Sequence, residues 1–206
     1  MLTTDLVSRF YTSVLQREGT EAELAEYTTQ IQTHQTTTWA VLNALINSEE
    51  ATQFVDPVIR LYYAGLKRQP DVAGIDHWAD NLRDGSASLL QIAQGFVGSQ
   101  EWLNTYGATD TTDEVIGALY KNVLLRDGSA DEIAAWKATG LSTAEILIGF
   151  SESSEFRSKA EGHIDAAKGD AGKYATSVYG WSAAHDPLTV AVDYIAPISM
   201  TPDDLA

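Results

Sequence analysis

The chain has 206 residues and carries 29 acidic against 13 basic side chains, a formal net charge of −16. That balance excludes the clustered Lys and Arg on which nucleic-acid binders and proteins docked on anionic membranes rely. Cysteine is absent, so disulfides, thiolate nucleophiles, zinc knuckles and iron–sulfur clusters are excluded together.

From Met1 to Phe10 there is neither a basic n-region nor an apolar h-region, so no cleaved secretory signal is expected. No apolar run approaches the ~20 residues of a spanning helix, and no membrane insertion is expected. The chain does repeat itself. Tyr11, Leu15, Arg17 and Tyr27 recur 51 residues later as Tyr62, Leu66, Arg68 and Trp78, and Ser48 and Glu50 recur as Ser99 and Glu101. A third copy carries Tyr120, Leu124, Arg126 and Trp136 at a further 58, then Phe150, Ser153 and Glu155 at 54 from their counterparts. The change from 58 to 54 implies a loss of 58 − 54 = 4 residues, expected in the loop around Gly140 because loops absorb deletions more readily than helices.

Each copy reads as three short helices. Helical spacing marks the first, as in Val58, Ile59, Leu61, Tyr62 and Leu66. The second opens on a capping box, Thr20/Glu23 in copy one and Ser129/Glu132 in copy three. The pair Ser142/Glu145 does the same for the third helix of copy three, and Thr111/Glu114 is expected to cap its first. Gly85 and Gly140 are placed to end the second helices at positive φ. The third helix buries Ile92 and Phe96, or Ile146 and Phe150. It breaks at Ser-x-Glu and closes on an aromatic: Trp102, Phe156, or a displaced Phe54. The predicted fold is all-α. Three tandem three-helix repeats (1–55, 56–110 and 111–160) pack as one helical body over 1–160, followed by an arm over 161–206. In that arm Leu188, Val190, Val192 and Tyr194 alternate with polar or small residues as in a strand. A lone strand wants a partner, either the chain's own helical body or another chain, so the arm is a candidate route to an oligomer.

Sites of chemistry are few. The histidines, His34, His77, His163 and His185, show no ligand spacing. Asp127, Asp131 and Glu132 gather near one turn, which capping and solvation explain. No catalytic residue, metal or cofactor is expected. Tyr27, Trp78 and Trp136 sit mid-helix among apolar neighbours and are expected to pack in the core. Arg17, Arg68 and Arg126 are expected to end the first helix, where a cation meets the negative pole of the dipole. Each is predicted to pair with the Ser-x-Glu carboxylate of its own copy, Glu50, Glu101 or Glu155.

Copy two, from Tyr62 through Leu66-Lys67-Arg68-Gln69-Pro70-Asp71, Gly74, Trp78 and Gly85 to Ser99-Gln100-Glu101-Trp102, resembles a helical domain of unassigned function. Its hallmark is Tyr, Leu-Gly-Arg, Pro-Asp, Gly, Tyr-Trp, Gly and Ser-x-Glu-Phe, and it is typical of bacterial surface-layer proteins, adhesins and haemolysin-type exoproteins. Phycobilisome linker domains are similar in pattern. The resemblance implies export by type I machinery without a cleaved N-terminal signal, and a place outside the cell or on its surface. It also implies a non-enzymatic binding or scaffold module that anchors to lipopolysaccharide-like polysaccharide. Two other readings stay open. One is an assembly subunit that joins larger proteins through its helical faces. The other is a polysaccharide-acting enzyme using Asp76 and Asp80, which stand one helical turn apart.

Overall fold

The computed structural model describes residues 2–159. They are helical, and among them there is no strand. The expected strand around Leu188–Tyr194 and the rest of 160–206 lie outside the described residues. The chain divides into two compact units, with the boundary between Val55 and Asp56.

The first unit contains α1 (Leu2–Phe10), which runs into a π-helical turn at Tyr11–Leu15. It is followed by α2 (Glu21–Gln32), α3 (Thr38–Ile46) and a second π-helical turn at Ala51–Val55. The apolar positions of α1 recur every three or four residues, so Leu6, Val7, Phe10, Tyr11 and Val14 share one face. They meet Val41, Leu42, Leu45 and Ile46 of α3 in a single core that Leu24, Tyr27 and Ile31 of α2 flank.

The second unit begins with α4 (Asp56–Leu61) and a π-helical turn at Tyr62–Leu66. It continues with α5 (Val72–Arg83), α6 (Leu89–Val97), α7 (Gln100–Tyr106), α8 (Asp113–Val123), α9 (Ala130–Ala138), α10 (Thr143–Ser151) and a last helical stretch at 154–159. The third helices of copies two and three, α6 and α10, pack against each other, and α10 also covers α4. Ile92, Phe96, Ile146 and Phe150 are buried as expected. The aromatics that close the copies behave as their register demands: Trp102 and Phe156 are buried. Ala51 takes that register in copy one, and Phe54, three residues on, is half-buried.

The capping boxes at Thr20/Glu23, Ser129/Glu132 and Ser142/Glu145 all form. Gly85 and Gly140 take φ of 75° and 69°, the left-handed conformation in which a Cβ is unfavourable. The cap of α8 falls one residue later than expected. Thr112, not Thr111, accepts from the amide of Val115, while the Thr111 hydroxyl turns to the Leu141 carbonyl and the Thr143 hydroxyl. Tertiary partners have taken the nearer hydroxyl, and the next one caps instead.

The four-residue loss in copy three is also placed differently. The helix α9 has 9 residues where α2 and α5 have 12. The connection that follows shrinks only from 84–88 to 139–142. Three of the four residues therefore come off the end of the second helix, and one from the loop. Removing about one turn from a helix end leaves the remaining faces in phase, since a turn is about 3.6 residues.

One feature escaped the sequence pattern. The residue before each Arg, at Gln16, Lys67 and Leu125, has φ of 54°, 55° and 55°, so all three copies leave the first helix through a left-handed residue. This is the register of the Gly in the Leu-Gly-Arg hallmark, and none of the three is Gly. Leu125 combines that conformation with 77% exposure, so its side chain gains little from packing. Leu125→Gly is expected to raise stability by about 1 kcal/mol, because a residue with a Cβ is held there at a cost of that size. A thermal melt showing a lower midpoint for the variant would contradict this.

Candidate functional site

The residues that repeat through the chain converge on a node built three times. In copy one the Arg17 guanidinium donates Nε and Nη2 to Glu50 at 2.6 and 2.8 Å, and Nη1 and Nη2 to Glu23 at 3.0 and 2.7 Å. Its flat face lies 5.1 Å from the centre of the Tyr11 ring. In copy three Arg126 does the same with Glu155 at 3.1 and 3.3 Å, Glu132 at 3.1 and 2.8 Å, and the Tyr120 ring at 4.8 Å. In copy two Arg68 grips Glu101 at 2.6 and 3.2 Å over the Tyr62 ring at 5.0 Å. The second Glu is missing there because Gly74 stands in its register, and Asp71 comes only to 3.9 Å. Gly74 is fitted to its neighbour: a Cβ would lie 2.4 Å from the Tyr62 hydroxyl. The three predicted Arg–Glu pairs are thus formed, and the planar fork of each Arg is used on one or two carboxylates and one aromatic face.

These partners set the electrostatics. The hydrogen bonds that Arg17 donates to Glu50 and then to Glu23 raise its guanidinium still further above its ordinary value. The Arg17 hydrogen bond holds Glu23 down at about 2, and Arg126 does the same for Glu132. Arg126 and then Lys159 lower Glu155. A carboxylate whose folded-state value is depressed contributes stability above its unfolded value of about 4.5 and loses it as pH falls towards the folded value near 2. The thermal midpoint is therefore expected to fall between about pH 4.5 and 2. A Glu23→Gln/Glu132→Gln double variant should melt lower at pH 7 and change less over that interval. Parallel acid profiles for variant and parent would contradict the assignment.

The second-helix aromatics lie beside the node and are half-buried, not in the core as their mid-helix positions suggested. Trp136 donates Nε1 to the Tyr120 hydroxyl at 3.1 Å and stacks on Phe150 at 5.3 Å. It lies over Gly149, where a Cβ would come within 2.6 Å of the indole. Trp78 meets Phe96 edge-on at 6.4 Å, and Tyr27 meets Tyr11 at the same separation.

The remaining candidates are dispersed. Asp76 and Asp80 are both exposed on α5, and Asp80 is held by Arg83. His34 and His77 are exposed, while His163 and His185 lie outside the described residues. Among the described residues no group of three or more His, Asp or Glu is disposed to hold a metal ion, and no helix is long and apolar enough to cross a membrane. A shallow groove of 390 Å³ runs between α8 and α9, floored by Ala130, Ile133 and Ala134 and closed by the Asp113–Lys137 ion pair at 2.8 Å. In copy one the same two positions are Thr4 and Thr28, joined by a 3.3 Å hydrogen bond, so this contact is a repeated staple between first and second helices.

Arg68→Ala, which removes the node of copy two, is expected to lower the melting temperature by a few degrees. The pair is two-fifths exposed on each side, so its own contribution is modest. An unchanged melt would show that the node does not hold the copy together.

A family model described as a domain of unknown function (DUF4214) matches residues 51–106 and again 93–160. No curated protein and no solved structure matches the chain.

Proposed function

The chain belongs to the family of domains of unknown function DUF4214, and from that premise we propose that it is a non-enzymatic binding or scaffold module of the cell surface or the extracellular space. In this reading it anchors on cell-envelope polysaccharide of the lipopolysaccharide type, as the resemblance to surface-layer proteins implies. The observation that carries the reading is the fate of the repeated residues. Tyr, Arg and Glu recur in three copies and spend their charges and rings on one another, which suits a framework better than a reacting centre. Tyr27, Trp78 and Trp136 are half-buried, and partly exposed aromatics pack against the apolar faces of sugars as they do against other apolar groups.

Charge narrows the mode of contact. A net charge of −16 repels the phosphates of an anionic polysaccharide at low salt, so attachment would run through sugar hydroxyls and ring faces. Repulsion is screened as salt rises. Co-sedimentation of the protein with purified lipopolysaccharide should therefore hold or strengthen between low and physiological salt. Binding that disappears over that range, or no sedimentation in either, overturns the proposal. Arg68→Ala gives the control: the framework reading expects a lower melting temperature with binding retained below it, whereas lost binding at unchanged stability would make the Arg a ligand contact.

A further inference from the structure

The left-handed residues that end the first helices meet different fates. Gln16 is buried. Lys67 and Leu125 are exposed, and both lie in the second unit. Leu125 is the most exposed of the large apolar side chains among the described residues, at 77%. A branched apolar side chain held at a φ of 55° with so little packing in return is an outlier, and outliers of this kind collect where a surface is used. Its surroundings are cationic. Lys67 donates Nζ to the Asn122 side chain at 3.1 Å, three residues before Leu125. Lys121 is exposed in the last turn of α8, four residues before it. Lys159 reaches the Leu124 carbonyl at 2.5 Å while also holding Glu155 at 3.0 Å. Among the described residues Lys67 and Lys121 make no ion pair.

We propose that Leu125, Lys67 and Lys121 form a docking surface for a second copy of this chain, and that it seats residues 18–26 of that copy. Charge complementarity selects the occupant. Residues 2–55 hold seven carboxylates against Arg9 and Arg17. Arg17 is spent on Glu23 and Glu50, which leaves Glu18, Glu21 and Glu26 exposed and, among the described residues, without an ion pair. In the second unit Asp80 and Asp113 already have Arg83 and Lys137. The half-buried Leu24 of the same acidic stretch offers Leu125 an apolar neighbour. Two chains of net charge −16 repel each other. At physiological salt, however, the Debye length is about 8 Å, so distant charges are screened while ion pairs in contact persist. The two surfaces differ, so the contact is head-to-tail and, unless it closes into a ring, propagates as an open chain of copies. Such self-assembly is independent of attachment to polysaccharide.

Sedimentation velocity of the full chain at physiological salt should show species larger than the monomer that grow with concentration. Leu125→Gly is expected to weaken that association about tenfold while raising the melting temperature, which separates lost assembly from lost folding. Lys67→Glu/Lys121→Glu and Glu18→Lys/Glu21→Lys/Glu26→Lys should each associate poorly alone. Their mixture should associate again, because each variant keeps the surface that the other lacks. A single monomer boundary at every concentration, an association that Leu125→Gly leaves intact, or a mixture no more associated than its components overturns the proposal. Carbodiimide treatment of mixed isotopically light and heavy chains locates the contact. Lys67 or Lys121 should be joined to Glu18, Glu21 or Glu26 in peptides that combine a light and a heavy partner. Links within one chain only, or to other carboxylates only, overturn it.

Discussion

Glu152→Ala is expected to lower stability by about 3 kcal/mol, because removing one member of a buried ion pair strands the other. The stranded group is Arg60, whose side chain is 4% exposed and has both of its donating nitrogens on that one carboxylate. A loss of this size corresponds to a fall of about 6–12 °C in the melting temperature of a protein of this length. The sign of the pair itself is a separate matter. Taking both charges out of water is costly, so Arg60→Met/Glu152→Leu should recover most of the loss, as buried pairs replaced by apolar residues often do. Urea unfolding of the two single variants and the double variant decides it. If Glu152→Ala were no worse than the double variant, the Arg would have found water or another acceptor.

Trp102→Ala should be costlier still, about 3–5 kcal/mol, since it empties a site the size of an indole. Trp102 is completely buried and stacks on Tyr106 at 4.0 Å with the rings 26° apart; its Nε1 donates to the Ala108 carbonyl at 2.8 Å. Tyr106 is itself committed, with its hydroxyl on the Ala64 carbonyl at 2.6 Å and its phenol pushed up by burial. Ala64 lies in the π-helical turn Tyr62–Leu66, so the ring stack reaches back to the end of the first helix of its own copy. Trp102→Phe keeps a ring on Tyr106 but leaves the Ala108 carbonyl without its donor, and should fall between the parent and Trp102→Ala. Far-UV circular dichroism in urea measures all three. An alanine variant within 1 kcal/mol of the parent would mean that the site collapses and refills.

Local chemistry was the most legible in the sequence, together with whatever the repeat multiplies. Capping boxes need only two residues three apart, and positive-φ glycines need only their own backbone, so both could be read directly. The Arg–Glu pairs span 33 residues in copies one and two and 29 in copy three, but recurrence in three registers marked them. Arg60–Glu152 spans 92 residues and occurs once, so no periodicity pointed to it. The left-handed residues were hidden for a chemical reason. Gln16, Lys67 and Leu125 share a backbone conformation and no side-chain property, so these residues carry no sign of it and only the Gly of the Leu-Gly-Arg hallmark marks the register. The half-burial of Trp78 and Trp136 was hidden because apolar neighbours along a helix do not disclose how little of it is covered: α9 buries no residue and α5 only Ile75 and Ala79.

The shortened α9 has a practical corollary for protein engineering. Copies one and three differ there by nearly a full turn while the node below keeps its geometry. The exposed tip after the second helix is thus a natural graft point, where an epitope tag or reporter peptide fits best when its length is near a multiple of the helical pitch. The matching tip in copy two, at Gly85-Ser86, offers the same opening, so one molecule could display two such inserts.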